Sequence, residues 1–361
     1  MQALADRRLL IFAGKGGVGK TTTSCAAALA LAKAGRRTLL VTVDPAKRLS
    51  DALGIDVGFH ETPVQPNLTA MMLDPGSVIT EHFQRELPQL KVTEHPMFKY
   101  VTDYLPGLNE LMAIGKLNDL RREGRYDVIV IDTAPTGHAL SFLSVPKAMK
   151  ELMSEKSLIK WAVRGYSVWQ KLSGAATKAQ NVFKKKDAQK RPPPDIDFER
   201  VFADIQKQAE EVQQFLSEAG HTGLVLVTLP EKLPVEETFD LYRALTQDLH
   251  MDVAHIVVNK VQPDVLAGHQ AAFTTLLAER DEFVRRAAKA THADPALLAA
   301  LLDAARFNER RRAMNLGYIE ELRAGLPHVP IATVPLFTED VQGLRKLAEY
   351  RDALFDPANM L

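Results

Sequence analysis

The chain has 361 residues, 45 basic and 45 acidic side chains that cancel, and one cysteine, Cys25. That length accommodates one large α/β domain with an appendage, or two domains. The charge balance argues against a dedicated nucleic-acid binder, and one thiol excludes an intrachain disulfide or a four-cysteine metal site.

No apolar window approaches the roughly 18 residues of a membrane span. The apolar stretch ahead of the first glycine loop is too short for a secretory signal, so a cytoplasmic protein is expected. In chain order, the run 9–13 (LLIFA) reads as a buried strand and leads directly into Gly14-Lys15-Gly16-Gly17-Val18-Gly19-Lys20-Thr21. This segment fits the phosphate-loop pattern G-x-x-x-x-G-K-[ST] in full, and a helix over 20–34 follows it. A strand-loop-helix turn of this kind aims backbone N–H groups and the helix N-terminus at phosphates. Lys20 is the residue type that pairs with β- and γ-phosphates, and the Thr21 hydroxyl is the type that ligates Mg²⁺. The motif assigns no role to the additional Lys15.

Further strand-like apolar runs lie at 38–43, 68–73, 126–131, 224–229, 253–258 and 329–334, and helical patterns occupy 235–249 and 341–354 between and after them. Strand-helix alternation implies a doubly wound, mostly parallel α/β sheet with ligands at the carboxyl ends of the strands. The strand at 38–43 leads into Asp44, which suits either a Mg²⁺- or water-directed role or a ribose-binding carboxylate. The strand at 126–131 ends at Asp132, the pattern of a carboxylate that orients Mg²⁺ and its water. Residues 133–138 (TAPTGH) follow as a small, polar loop suited to sensing a γ-phosphate. His138 within it reads as a switch or structural residue, with general base as the alternative.

Two intervals interrupt the alternation. Residues 145–172 place Met149, Met153, Trp161 and Trp169 at helical spacing; 178–191 is a basic loop closed by three prolines; helical signals resume at 198–219. Residues 265–323 are rich in alanine and leucine and also helical. The expected organisation is a nucleotide domain made of 1–144, 221–264 and 324–361. Helical insertions at 145–220 and 265–323 would project from its sheet.

The motifs GKGGVGKTT (14–22), DPAKRLSD (44–51), PGLNEL (106–111), DTAPTGHAL (132–140), PEKLPVEET (230–238), VVNK (257–260) and PLFTEDVQGL (335–344) together resemble one family. It is that of the arsenite-pump ATPase and of the ATPase guiding entry of tail-anchored membrane proteins. The resemblance implies an ATP- and Mg²⁺-dependent ATPase that works as a homodimer. Gly14 to Thr22 would form the phosphate cradle, Thr21 would bind Mg²⁺ directly, and Asp44 and Asp132 would act through its water. Asp44 would also position the attacking water. Lys15 would reach across the dimer interface to the phosphates of the other subunit. Asn259 and the segment Pro335, Leu336 and Phe337 would hold the adenine.

The arsenite branch uses cysteines, and soft thiolates are chemically required for a metalloid site. The lone Cys25, on the helix behind the phosphate loop, reads instead as a small core residue. The tail-anchored branch often clamps a zinc with a C-x-x-C, but Ala305, Arg306, Phe307 and Asn308 stand in the corresponding neighbourhood. No zinc is therefore expected, which leaves apolar packing and nucleotide to hold a dimer. The helical insertion would offer a groove for a hydrophobic or tail-anchored client, with plain packing as the alternative for 145–172. A membrane receptor is a possible further partner. A partition or positioning switch acting on membrane or DNA is the competing class, although residues 343–361 are amphipathic and balanced in charge, as a packing helix would be.

Overall fold

The short apolar runs become strands because a sheet buried on both faces needs apolar residues at successive positions. A computed structural model describes residues 4, 6–43, 48–86, 108–133, 140, 143–148, 198–218 and 220–361. Within it, β1 (Leu9–Ala13), β2 (Thr38–Thr42), β3 (Thr62–Gln65), β4 (Leu68–Met72), β5 (Val128–Asp132), β6 (Thr222–Thr228), β7 (Val253–Val261) and β8 (Ile331–Pro335) form one sheet. Its order is β3-β4-β2-β5-β1-β6-β7-β8. Every neighbouring pair is parallel except β3 with β4. This is the doubly wound, mostly parallel α/β sheet that the strand-helix alternation predicts. The antiparallel edge strand β3 was absent from the sequence reading: it has four residues and none is buried, and it carries Pro63, which suits an edge.

Period-two alternation sends Leu9, Ile11 and Ala13 to one face and Leu10 and Phe12 to the other. The second face is covered by α1 (Lys20–Lys33), α2 (Arg48–Leu53) and the C-terminal helix α10 (Gly343–Leu354). Helix α1 is wrapped on nearly all sides, with Cys25 to Ala32 buried, and alanines let it approach both the sheet and α10. In α10, Leu347, Tyr350 and Leu354 are buried, and the Tyr350 hydroxyl lies 2.9 Å from Thr23 Oγ1. The amphipathic face of this terminal helix is thereby used in packing.

The first face carries α3 (Pro75–Glu86), α4 (Leu108–Arg122), α5 (Phe198–Leu216) and α6 (Lys232–Arg243), the last continuing into a wide π turn, Ala244–Asp248. The sequence places α5 in a projecting insertion. Instead its stripe Ile205, Ala209, Val212, Phe215 and Leu216 is buried against α4 and the sheet core. An apolar stripe at helical spacing needs a cover, and the sheet supplies it. Interval 265–323 is helical as expected, comprising α7 (Gln270–Ala278), α8 (Arg280–Thr291) and α9 (Pro295–Gly325). Asp294 caps α9 by accepting from Ala296 N at 2.9 Å. In α9 the residues Asn315, Ile319 and Leu322 are buried, whereas Leu297, Leu301, Phe307 and Met314 are more than half exposed. No helix among the described residues is long and apolar enough to cross a membrane. Asp44, His138, Met149, Met153, Trp161, Trp169 and the basic stretch 178–191 lie outside the described residues.

The core of the described residues holds a buried histidine that the chemistry does not use. His255 on β7 is buried among Phe12, Val225, Val257 and Leu354, and its Nδ1 finds no hydrogen-bond partner among the described residues. Burial pushes its pKa down from 6.5 to about 4. Because the folded value is depressed, the unfolded chain takes up the proton first, and stability falls as pH drops from about 6.5 towards 4. Between pH 7 and pH 5 the loss from this residue is about 2 kcal/mol. His255→Leu should flatten that part of the profile, as measured by urea midpoints at the two pH values. An unchanged slope would assign the acid sensitivity elsewhere.

Candidate functional site

The loop from Gly14 to Gly19 leaves the carboxyl end of β1, the strand paired on both sides near the middle of the sheet. Its feet, Gly14 and Val18, are buried, and its crest, Gly16 and Gly17, is exposed. The glycines are required at two places by contact as well as conformation. Gly14 (φ 152°) would drive a Cβ into the carbonyl of Val227, and Gly19 (φ 95°) would drive one into the Asn259 amide. Gly19 is also the N-cap of α1, and its carbonyl accepts from the N–H and the hydroxyl of Thr23 at 2.9 and 2.8 Å. The open N-terminal turn of α1 thus sits directly under the loop crest.

Lys20 is 6% exposed, and its ammonium donates to the Lys15 carbonyl at 2.9 Å, which places the charge over the loop. Thr21 Oγ1 donates to Asp132 Oδ2 at 2.7 Å. Asp132 closes β5, is 1% exposed, and is flanked by Thr133, whose hydroxyl is tied to the Phe12 carbonyl at 2.7 Å. Two positions 111 residues apart, each read from sequence as a Mg²⁺ group, are therefore in contact at the carboxyl ends of β1 and β5. Thr22 is half-buried on the following turn. Behind them Cys25 is fully buried; burial, and then the nearby Asp132 charge, push its thiol well above the usual range, so it has no thiolate character.

The donor set fits Mg²⁺. A hydroxyl and a carboxylate are hard oxygen ligands, and Mg²⁺ keeps waters and takes phosphate oxygens in place of a full protein cage. Among the described residues no group of three His, Cys, Asp or Glu could hold a metal without such help. When bound, the cation would neutralise charge on the β- and γ-phosphates.

On the flank, Asn259 at the end of β7 donates to the Val18 carbonyl at 2.9 Å and accepts from the Lys260 N–H at 2.9 Å. Its amide therefore braces the phosphate loop and is engaged on both sides. Pro335 pairs with Val261 across β7 and β8, Leu336 N–H donates to the Val261 carbonyl at 2.8 Å, and Phe337 stacks on Tyr350 with ring centres 5.7 Å apart. The four residues read as adenine contacts thus lie on the ends of two adjacent strands beside the loop.

Two residues of the site carried no assignment in the sequence reading. Glu237 on α6 receives Lys15: Nζ to Oε1 is 2.8 Å, with both side chains about one-third exposed. Asn315 of α9 donates to the Pro230 carbonyl at 3.0 Å and accepts from the Gln262 N–H at 2.9 Å. It ties the segment before α6 to the segment after β7. Glu237 does lie inside PEKLPVEET, but nothing in that motif points 222 residues upstream.

With this geometry established, comparison with known proteins is decisive. The family profile for anion-transporting ATPases matches residues 7–285. The chain belongs to that family. It is an ATPase. Relatives of this ATPase include an ATPase GET3 of Malassezia globosa, 30% identical over 99% of this chain and 94% of the relative. An ATPase ASNA1 homolog 1 of Paramecium tetraurelia is 32% identical over 69% of this chain and 73% of its own. A putative arsenical pump-driving ATPase of Chlorobaculum tepidum is 26% identical over 98% of this chain and 77% of its own.

Proposed function

We propose that this ATPase works as a Mg²⁺-dependent homodimer that captures hydrophobic clients, tail-anchored membrane proteins being the class its sequence resemblance favours. In this reading each phosphate loop holds its own nucleotide through Lys20, with Mg²⁺ on Thr21 and, through water, on Asp132 and Asp44. Lys15 reaches the phosphates of the other subunit. Phosphoryl transfer depends on positioning and on neutralising developing charge, so a second ammonium delivered only on closure would tie hydrolysis to dimer geometry. The adenine lies against Asn259 and Pro335 to Phe337. Residues 265–323, with 145–220, contribute the client-facing helices.

The observation that carries the client reading is the set of exposed apolar side chains on α8 and α9. Phe283, Leu297, Leu301, Phe307 and Met314 are 37–62% exposed on helices that have few buried residues of their own. Closure of two copies would gather such faces into a trough, the helix-in-groove mode of recognition. The arsenical-pump alternative has no comparable support: a metalloid needs thiolates, and Cys25 is a buried neutral thiol.

The test is co-expression with a tail-anchored protein and pull-down of native chain and Asp44→Asn. The slow-hydrolysing variant should retain more client than the native chain, and Leu301→Asp combined with Phe307→Asp should lose it. Equal recovery of a control with its apolar tail deleted, or ATP-dependent sedimentation with DNA without client capture, would reject the reading.

A further inference from the structure

Lys15 has an occupation inside its own chain. Its ammonium is paired at 2.8 Å with Glu237 Oε1, across 222 residues of sequence. Glu237 projects from α6 beside the buried Val235, Thr238 and Leu241, so the carboxylate is carried on a helix packed to the sheet. Its second oxygen, Oε2, is buried and accepts no hydrogen bond from the described residues. One oxygen is committed to Lys15 and the other is shielded from water, so among the described residues Lys15 is the partner that answers the Glu237 carboxylate. The arrangement also has an electrostatic reason. Lys20 donates to the carbonyl of Lys15, so two ammonium-bearing residues share one short loop, and Glu237 neutralises the outer one.

We propose that Glu237 is the resting latch of Lys15, a positioning residue that keeps this lysine in its own subunit and opposes its transfer to the nucleotide of the partner. This rests on the reading of Lys15 as a residue acting in trans. Closure then exchanges one carboxylate partner for phosphate oxygens, and the strength of the latch sets how much ATP is needed to close the dimer. A partly exposed ion pair of this kind contributes a factor of about two to five in an equilibrium constant. The contact is weak enough to be broken by a triphosphate and strong enough to be measured.

The experiment is steady-state ATP hydrolysis by the full chain, titrated with Mg-ATP, for Glu237→Gln, Glu237→Asp and Lys15→Ala. Glu237→Gln keeps the shape and removes the charge. It should lower the ATP concentration at half-maximal turnover by about two- to five-fold, whereas Glu237→Asp, which keeps the charge, should stay near the native value. The shift should vanish when Glu237→Gln is placed in the Lys15→Ala background. No shift, a shift to higher ATP, or the same shift without Lys15 would overturn the latch. If Lys15→Ala alone leaves turnover unchanged, the trans reading fails, a result distinct from any outcome of the Glu237 variants. Thermal midpoints measured alongside separate these results from misfolding.

Discussion

Lys15→Ala is expected to bind ATP as the native chain does and to lose at least about tenfold in turnover. Binding should survive because the loop does not depend on this side chain. Lys20 donates its hydrogen bond to the Lys15 carbonyl, which alanine keeps, and the cradle is set by Gly14, Gly19 and the Asn259 brace on Val18. The ion pair lost with Glu237 is about one-third exposed at each end, so the cost to folding is about 1 kcal/mol or less. Turnover should fall because one preorganised cation aimed at developing phosphoryl charge is worth orders of magnitude in rate.

A mixing experiment separates action in trans from action in cis. Lys15→Ala and Lys20→Ala chains are each expected to be nearly inactive alone. In a mixed dimer, the subunit carrying Lys15→Ala still has its own Lys20 and receives Lys15 from its partner. That single site is complete, and an equal mixture should recover about one quarter of native turnover if dimers form at random. If both lysines serve the same subunit, every site in the mixture is defective and nothing is recovered. Absence of recovery, with dimers verified by size, would end the trans assignment.

The sequence was most legible where the chemistry is local. β1, the glycine loop and α1 are contiguous, and both the apolar run and the glycine spacing report on neighbours a few residues away. The carboxylate at the end of β5 was legible for the same reason, since an apolar run closed by an acid marks a strand end in an α/β sheet. Legibility was lost where one side of a contact lies far off in sequence. Glu237 resembles other helix-surface glutamates until Lys15 is placed against it. Asn259 was read, through resemblance, as an adenine contact. Its side chain is engaged by the Val18 carbonyl and the Lys260 N–H, a use that becomes visible only when β7 is set beside the loop. Strand β3 escaped because a short half-exposed edge strand has no apolar signature. The stripe of α5 was readable as amphipathic, but periodicity names a buried face without naming what buries it.

Asn315→Leu is the substitution expected to cost the fold most, at roughly 2–5 kcal/mol. Asparagine is a middling helix former, and in the interior of a 31-residue helix it calls for a reason. The reason is that its amide satisfies two backbone groups from different segments: the carbonyl of Pro230 ahead of α6 and the N–H of Gln262 beyond β7. Leucine fits the volume but leaves both groups without their partner at a position 6% exposed. The expected result is a lower urea midpoint together with faster hydrogen exchange at the Gln262 amide. Asn308→Ala is the control, because among the described residues Asn308 bonds only to the Gln262 side chain, at 3.1 Å, and should cost less than about 1 kcal/mol. The consequence reaches the active site as well as the fold. Pro230 and Gln262 begin and end the segments that carry Glu237 and Asn259, and Asn259 braces the phosphate loop at the Val18 carbonyl. Loosening both segments at once should therefore weaken ATP binding in addition to stability. An Asn315→Leu chain with a native midpoint and a protected Gln262 amide would show that α9 is docked by Ile319 and Leu322 alone.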